Sequence, residues 1–247
     1  MKRSWILCAL LLALSILLCA CSPAAATAKK GSYGFPPAET DELLCFPGIS
    51  WGSSLEEAMD ALNADESDCE IIQQIGNQER ILFENATWFG EEATRAQLMF
   101  DNNKLISVVI EYPDKANMEK VRGNLEAIYG SPADSYTTYR CPLSFETGYE
   151  KGEVVSAEFT TNDQTAFWAS GKTYGEYLGA EDTAKWVDRT RAANASNPYS
   201  TAEAYEKIAA LSPFSYMVCT TDGTGDFLKM NCKNAVMLSC NFPFLTD

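Results

Sequence analysis

The chain has 247 residues and no histidine, and its 34 acidic side chains outnumber 19 basic ones, for a net charge of −15. The missing histidine excludes Ser-His-Asp and Cys-His catalytic sites, histidine-ligated zinc and haem, and a histidine pH switch near neutrality. The acidic excess argues against a nucleic-acid partner, because neutralising phosphates takes clustered lysine and arginine.

Residues 1–20 have the three-part layout of a secretory signal. Lys2 and Arg3 give a positive start, and residues 6–18 form a short apolar run followed by small residues. A transmembrane helix needs roughly 20 apolar residues to cross the bilayer core, and this run is shorter. We therefore expect the segment to be cleaved and not to span a membrane.

The cleavage point is indicated by Leu18-Cys19-Ala20-Cys21. These residues resemble the lipobox of bacterial lipoproteins, in which an aliphatic, a tolerant and a small residue precede a lipid-modified cysteine. Cys21 follows the small Ala20 and is the predicted lipid attachment site, whereas Cys19 is an unusual residue for the tolerant position. Two acyl chains anchor a protein stably where one does not. The resemblance implies a palmitate-labelled lipoprotein on the extracytoplasmic face of the cell membrane.

The residues after Cys21 have the composition of a flexible tether, rich in alanine, proline and glycine with little to bury. Some 20 such residues reach about 25 Å. We expect a tether at residues 21–42 and a single globular domain at residues 43–247, with a C-terminal subdomain from about residue 195 as a variant of this division. An ordinary secretory signal, cut after Ala26 or Ala28, is the alternative to a lipid anchor.

The globular part opens with FPGISWGSSLEEAMDALN, which predicts a capped helix. Ser53 and Ser54 each stand three residues before a glutamate, which is the spacing of a capping box. The apolar residues that follow repeat with the helical period. They are Leu55, Ala58, Met59 and Leu62.

The next segment, ERILFENATWFGEEATRAQLMFDNNKLISVVIEY, predicts an antiparallel meander of three strands. A two-residue turn between the last two strands would put their apolar residues on opposite faces of the sheet. One extra residue in the turn, with an asparagine at positive φ, puts both sets on the core face. We therefore predict that Phe100 pairs with Ile106 and Leu98 with Val108.

Further helices and strands follow the meander. One helix begins at Asp114 or Asn117 and ends before Gly130, and another begins at Ser200, with Glu203 completing a capping box. A shorter helix is predicted at residues 180–192, and strands at residues 153–160, 165–170, 214–220, 227–232 and 236–240. This element order indicates an α+β fold, an antiparallel sheet with helices packed on one face.

The chain is similar to uncharacterised envelope lipoproteins of Gram-positive bacteria in three segments, which are PGISWGSSLEEA, the meander and LEAIYGSP. Those proteins carry a Gly-x-x-Trp-Gly-x-Ser-x-Glu-Glu opening, an N-K-L turn and a helix closing in Tyr-Gly-x-Pro. The resemblance covers roughly residues 45–170. In element order alone, the chain also resembles the outer-membrane assembly lipoprotein and β-lactamase-inhibitor fold group. These resemblances imply a fold and a location, and no activity.

The globular part contains six cysteines, an even number in a chain expected to be exported. Up to three disulfides in 15 pairings are available, but a domain of about 200 residues is large enough to fold without them. Disulfides and buried free thiols both remain open, with any disulfide expected near the C-terminus. The cysteines are Cys45, Cys69, Cys141, Cys219, Cys232 and Cys240.

Four aromatic residues are predicted to contact a partner: Trp88, Trp168, Tyr174 and Tyr177. Packing in the core is the alternative for each of them. The acidic stretch DESDCE and the turn at residues 222–226 do not have the spaced oxygen ligands of a calcium loop, so we expect no metal and no cofactor.

The chain lacks C-x-x-C, G-x-S-x-G and glycine-rich phosphate motifs. Without these motifs or histidine, most routes to catalysis by groups of perturbed pKa are absent. We expect a non-catalytic binding or adaptor domain whose ligand is an unknown envelope protein or small molecule. An inhibitor or assembly partner of an envelope protein is one alternative, and a carboxylate-based hydrolase is another.

Overall fold

The computed structural model describes residues 31–34, 43–73, 77–222 and 233–241. The predicted signal peptide, the lipid attachment site Cys21 and the predicted strand at residues 227–232 lie outside these ranges. Within them, no helix combines the length and apolarity that crossing a bilayer takes.

The helices are α1 (Leu55–Leu62), α2 (Lys115–Tyr129), α3 (Tyr174–Ala193) and α4 (Ala202–Leu211). The strands are β1 (Ser32–Tyr33), β2 (Glu70–Gln73), β3 (Gln78–Glu84), β4 (Thr87–Trp88), β5 (Glu91–Glu92), β6 (Arg95–Asp101), β7 (Lys104–Glu111), β8 (Ser135–Arg140), β9 (Val155–Thr160), β10 (Thr165–Ala169), β11 (Ser215–Thr220) and β12 (Ala235–Cys240).

A seven-stranded sheet organises the fold, in the order β10-β11-β12-β7-β6-β3-β2, and all neighbouring strands are antiparallel. The short strands β1, β4 and β5 form a second sheet, and β8 and β9 form a two-stranded ribbon. The α+β class with an antiparallel sheet is as predicted. The chain beyond residue 195 supplies α4 and two strands of the same large sheet, β11 and β12. Strand β12 lies between β7 and β11, so it joins the earlier strands to the later ones.

The helices cover one face of this sheet. Leu98, Val108, Leu238, Met217 and Trp168 lie directly opposite one another on successive strands, so they share a face. All five are buried in one apolar cluster, to which all four helices contribute side chains. Burial of this apolar surface is the main source of stability for the fold.

The β8–β9 ribbon packs on the opposite face, at the β10–β11 end of the sheet. Phe167 and Val218 point to that face and lie beneath Tyr136 of β8, whose ring stacks 5.9 Å from that of Phe167. Phe159 of β9 packs against the same small cluster. This end of the sheet is therefore covered on both faces.

N-caps were predicted for three helices, and two of these predictions are correct. Ser54 caps α1 with the predicted Glu57 capping box, and Asp114 caps α2. The predicted start of α4 at Ser200 is wrong, because the hydroxyl of Thr201 accepts the capping hydrogen bond from the amide of Ala204. A threonine one residue later offers the same acceptor, and the Ser200–Glu203 spacing favoured the wrong residue.

Helix α3 begins six residues earlier than predicted. Thr173 caps it through a capping box with Glu176, and a kink at Gly179, where φ is 75°, follows the first turn. The kink interrupts the helical period of the apolar side chains, which is why the predicted helix covered only the part after the kink.

The register of β6 and β7 is partly as predicted. Leu98 pairs with Val108, but Phe100 pairs with Leu105, so the predicted pairing of Phe100 with Ile106 is wrong. The turn contains two residues, Asn102 and Asn103, and both have positive φ, at 49° and 56°.

The extra residue in this hairpin lies inside the ladder and not in the turn. The register shifts between Met99 and Phe100, which leaves Ile106 as the additional residue on the facing strand. A two-residue turn with both φ values positive matches the twist of the two strands, so the bulge is displaced into the strand. The other predicted apolar residues of both strands reach the core face, but Leu105 takes the core position expected for Ile106, which is only partly buried.

The strand β8 was not predicted, and it changes the pairing of the region that follows. The predicted strands β9 and β10 are present with the polar turn between them, but β9 pairs with β8 and β10 pairs with β11. The sequence of β8, SYTTYR, contains no aliphatic residue, so apolar alternation gave no signal for it.

Cys69, Cys141, Cys219 and Cys240 are free thiols in the described part of the chain. Cys219 and Cys240 are buried, and Cys45 is buried as well. Cys232 lies outside the described residues.

Candidate interaction surface

Trp88 and Trp168 do not lie at the surface, so the prediction that they contact a partner is corrected. Trp88 is 0% exposed and packs 4.5 Å from the ring of Tyr33 and 5.4 Å from that of Phe83. Trp168 is 3% exposed, and its indole donates a hydrogen bond to the carbonyl oxygen of Gly130. Trp88 of β4 and Trp168 of β10 both belong to the buried apolar cluster that the helices cover, so both side chains are structural.

Tyr174 and Tyr177 pack inward as well. Tyr174 is buried against Trp186, and the ring of Tyr177 lies 3.8 Å from that of Phe214. Tyr177 is half-buried, so only part of its side chain reaches solvent. Tyr174 therefore packs in the core, which was the alternative to partner contact. Tyr177, on the same helix α3, packs at the edge of the core.

Several carboxylates of the described residues are engaged in structural contacts. Glu91 accepts hydrogen bonds from Asn117 (3.0 Å) and Lys120 (3.2 Å). Hydrogen bonds lower the pKa of Glu146 to about 2 and also lower the pKa of Glu176, which is the opposite of what a general acid requires. In the described part of the chain, no three histidine, cysteine, aspartate or glutamate side chains come together in a way that would hold a metal ion.

Two shallow depressions lie near α4. A groove of about 490 Å³ runs between α3 and α4, with a floor of glycine and alanine and with Glu176 and Glu206 at its rim. A smaller cleft of about 250 Å³ lies between β8, residues 169–173 and the end of α4. The smaller cleft is lined by hydroxyl groups and Lys172 and by no carboxylate.

The connection between β8 and β9, residues 141–154, exposes an unusual amount of apolar surface. We call this segment the β8–β9 loop. Phe145 is 78% exposed, Leu143 43% and Tyr149 38%, and these are three of the five large apolar or aromatic side chains that stand out from the described surface. Clustered apolar exposure of this kind marks interaction sites on soluble domains.

The tip of the β8–β9 loop is a hydrogen-bonded turn. The amide of Glu146 donates to the carbonyl oxygen of Leu143 (2.9 Å), and Phe145 occupies the third position of the four-residue turn. The carboxylate of Glu146 accepts two hydrogen bonds from Arg140, at 2.8 Å each, and one from the amide of Leu143. These charge-assisted bonds fix the turn that carries Phe145.

The loop is held against α4 and the chain that precedes it, both at the tip turn and at its base. Tyr199 donates from its hydroxyl to the carbonyl oxygen of Glu146 (2.9 Å), and Asn197 donates to that of Pro142 (2.9 Å). Lys207 of α4 donates to the carbonyl oxygen of Gly152 (3.0 Å). The loop is therefore fixed at three points along its length while its apolar tip remains in solvent.

Gly152 is required where the loop meets α4. It is buried at a φ of 86°, and a Cβ at this position would lie 2.5 Å from a carboxylate oxygen of Glu203. The Glu203 side chain is flexible and can move away, so it is the backbone conformation that favours glycine here.

The β8–β9 loop was missed by sequence reasoning. Its sequence, CPLSFETGYEKGEV, has no apolar period and contains turn-forming residues, so it carries no strand or helix signal. A phenylalanine in such a segment is indistinguishable in the sequence from one that folds back into the core. The available signal is local: Glu146 stands three residues after Leu143, the spacing at which its carboxylate accepts the Leu143 amide.

Comparison with known protein families, curated proteins and solved structures found no family model, protein or structure that matches this chain. Any inference about function therefore depends on the chain's own residues, and the β8–β9 loop is the surface feature that offers one.

Proposed function

We propose that this chain is a lipid-anchored cell-envelope lipoprotein whose globular domain is a non-catalytic binding or adaptor domain. The observation that carries the binding proposal is the exposure of Phe145 on a turn that is fixed by its own hydrogen bonds. An exposed side chain that gains nothing for the fold, on a segment ordered at the cost of chain entropy, is typical of a recognition site.

The anchoring part of the proposal is supported by the sequence around Cys21. Ala20 supplies the small residue before it, and a tether-like segment follows it. An acidic domain is repelled by an anionic membrane surface, so a covalent lipid would be needed to keep it there. The resemblance to Gram-positive envelope lipoproteins points to the same location.

An inhibitor of an envelope enzyme is the second candidate, and the same loop favours it. Enzyme inhibitors of high affinity present a rigid exposed loop that changes little on binding. The turn at Leu143–Glu146 is exposed, carries Phe145 near its apex and is closed by its own hydrogen bonds, which supports this candidate.

Anchoring is tested by Cys21→Ser in the full chain, expressed in a Gram-positive host with a palmitate analogue. We expect Cys21→Ser to abolish labelling and to release the protein into the medium, and Cys19→Ser to keep both labelling and anchoring. Labelling that survives Cys21→Ser would contradict the lipid attachment site.

Binding is tested by replacing Phe145 with the photo-crosslinking analogue p-benzoylphenylalanine in intact cells. Leu211 at the end of α4 is 48% exposed and offers an exposed apolar control position outside the loop. We expect a protein adduct from position 145 and none from position 211. If irradiation yields no adduct at position 145, the binding proposal is wrong.

A further inference from the structure

We propose that Phe145 inserts into an apolar pocket of a partner protein and that the rim of this pocket is basic. The proposal rests on the binding function proposed above and deepens it by naming the chemistry of the partner. The shape, the internal hydrogen bonds and the charge of the β8–β9 loop support this proposal.

The shape of the loop fits a pocket better than a flat surface. Phe145 stands at the apex with 78% of its surface exposed, and Leu143 and Tyr149 flank it at 43% and 38%. An aromatic anchor gains most when a pocket removes water from both of its faces, while the flanking residues form the ring that excludes solvent. Tyr149 packs edge-on against Tyr199 at 6.3 Å, so this flank is fixed before binding.

The rigidity of the loop favours recognition of a preformed site. Glu146 holds the turn through Arg140 and the Leu143 amide, and Tyr199 and Lys207 hold the remainder. Binding by such a loop does not have to order the chain, so more of the contact energy appears as affinity.

The charge of the loop specifies the rim of the pocket. Glu150 and Glu153 form a second turn, closed by Glu153 N to Glu150 O at 3.2 Å, and the Glu150 amide donates to the Glu153 carboxylate at 2.7 Å. Lys151 lies between them and offsets one charge, while Arg140 and Lys207 are committed to bonds within the domain. An acidic edge beside an apolar anchor is complementary to a basic rim around an apolar pocket.

The same charges make a lipid bilayer the weaker candidate. Loops that enter the membrane interface place lysine and arginine beside their apolar residues, because bacterial surface lipids are anionic. Glu146 is paired with Arg140, so Glu150, Glu153 and Lys151 give the loop a net charge of −1, on a chain of net charge −15. An adduct with lipid is nevertheless a distinct outcome of the experiment.

The experiment starts from the full-length chain with p-benzoylphenylalanine at position 145. Mass spectrometry identifies the crosslinked protein, which is then purified and titrated against the released Cys21→Ser chain. We expect Phe145→Ala to weaken binding about 30-fold or more, the loss typical of an anchoring aromatic side chain. The control Leu211→Ala should leave the affinity within about twofold.

Two further variants separate rim charge from anchor. We expect Glu150→Lys to slow association about tenfold and to flatten its dependence on salt, and Glu150→Gln to have a smaller effect in the same direction. Glu146→Gln should weaken binding although Phe145 is retained, because the amide keeps one acceptor oxygen but lacks the charge and the second oxygen that Arg140 binds.

Other outcomes of these experiments would contradict separate parts of the proposal. A lipid adduct at position 145, or a partner that binds Phe145→Ala as tightly as the unmodified chain, rejects insertion into a protein pocket. A Glu150→Lys chain that binds more tightly rejects the basic rim but leaves the binding function standing. Absence of any adduct removes the binding function itself. Unchanged circular dichroism for each variant assigns the losses to the interface.

Discussion

The indole nitrogen of Trp168 donates a 2.8 Å hydrogen bond to the carbonyl oxygen of Gly130, which joins β10 to the end of α2. Gly130 is the residue at which α2 stops, with a φ of 81°. The bond satisfies the only polar atom of a side chain that is otherwise buried in the core. It connects the sheet strand nearest the β8–β9 ribbon with a helix that covers the other face.

Replacing Trp168 therefore tests the fold and not the interaction surface. We expect Trp168→Ala to lower the free energy of unfolding by about 3–5 kcal/mol, because it leaves a large cavity and an unpaired carbonyl. Urea denaturation measures the loss, with Leu211→Ala as the exposed control, expected to change stability by less than about 0.5 kcal/mol. A stable Trp168→Ala chain would contradict the buried position of this ring.

The carboxylate of Glu146 predicts a pH dependence of the β8–β9 loop. Its pKa is lowered from 4.5 to about 2 by hydrogen bonds from Arg140 and Leu143. The charged form is therefore favoured in the folded loop, and this stabilisation is present above pH 4.5 and lost as the pH falls toward 2.

Nuclear magnetic resonance checks this dependence through the amide of Leu143, which donates to Glu146. We expect that amide to keep its shift down to about pH 3 and to move toward random-coil values below about pH 2. In Glu146→Gln the amide should show no transition in this range. A transition centred near 4.5 in the unmodified chain would contradict the lowered pKa.

Gly152→Ala should loosen the base of the β8–β9 loop. The substitution places a Cβ against Glu203 and demands a φ that alanine rarely adopts. We expect a loss of about 1–3 kcal/mol, the usual range for strain at a special φ. Gly123→Ala in α2 is a matched control, because a Cβ there meets no other atom and the helix gains from alanine. Equal stability of the two variants would refute the requirement for glycine at position 152.

Thiol labelling tests the unpaired cysteines. Burial raises the pKa of Cys219 and of Cys240 to about 12, so both are protonated and protected at neutral pH. We expect neither to react with iodoacetamide in the native chain, and both to react after unfolding without a reductant. Peptide mapping resolves each site. A Cys219 or Cys240 that labels only after reduction would reveal a disulfide.

The cap of α4 distinguishes two adjacent residues. The Thr201 hydroxyl accepts from the Ala204 amide, so Thr201→Ala should cost about 1 kcal/mol. Ser200 instead lies 3.3 Å from the Tyr205 hydroxyl, and Ser200→Ala should cost less. Chemical denaturation ranks the two, and the reverse order would restore Ser200 as the cap.

Features encoded within a few residues were predictable. The capping box at Ser54, the start of α2 after Asp114 and the meander strands all follow from local spacing and alternation. The class of fold follows from the order of these elements. The position of the hairpin bulge was not predictable, because a slip of one residue in turn or strand gives the same apolar pattern.

Features that depend on contacts distant in sequence were not predictable. Phe167 and Trp168 are adjacent on β10 and point to opposite faces, yet both are buried, one under β8 and one under the helices. Nothing near Trp168 in the sequence indicates that its indole donates a hydrogen bond to the carbonyl oxygen of Gly130. The exposure of Phe145 likewise depends on Tyr199 and Lys207, which lie far along the chain from it.

The central position of β12 has a consequence for how the domain folds. Ala235 pairs with Glu111 on one side, and Cys240 pairs with Ser215 on the other, so the two halves of the large sheet meet only through this late strand. Until β12 is inserted, β7 and β11 are both open edges, which are templates for aggregation. Closing such distant pairings is slow. A chain interrupted before β12 is therefore left with two separate sheets whose exposed edge strands can pair with other chains. A chaperone that shields these edges would act on the protein until β12 has paired with both strands.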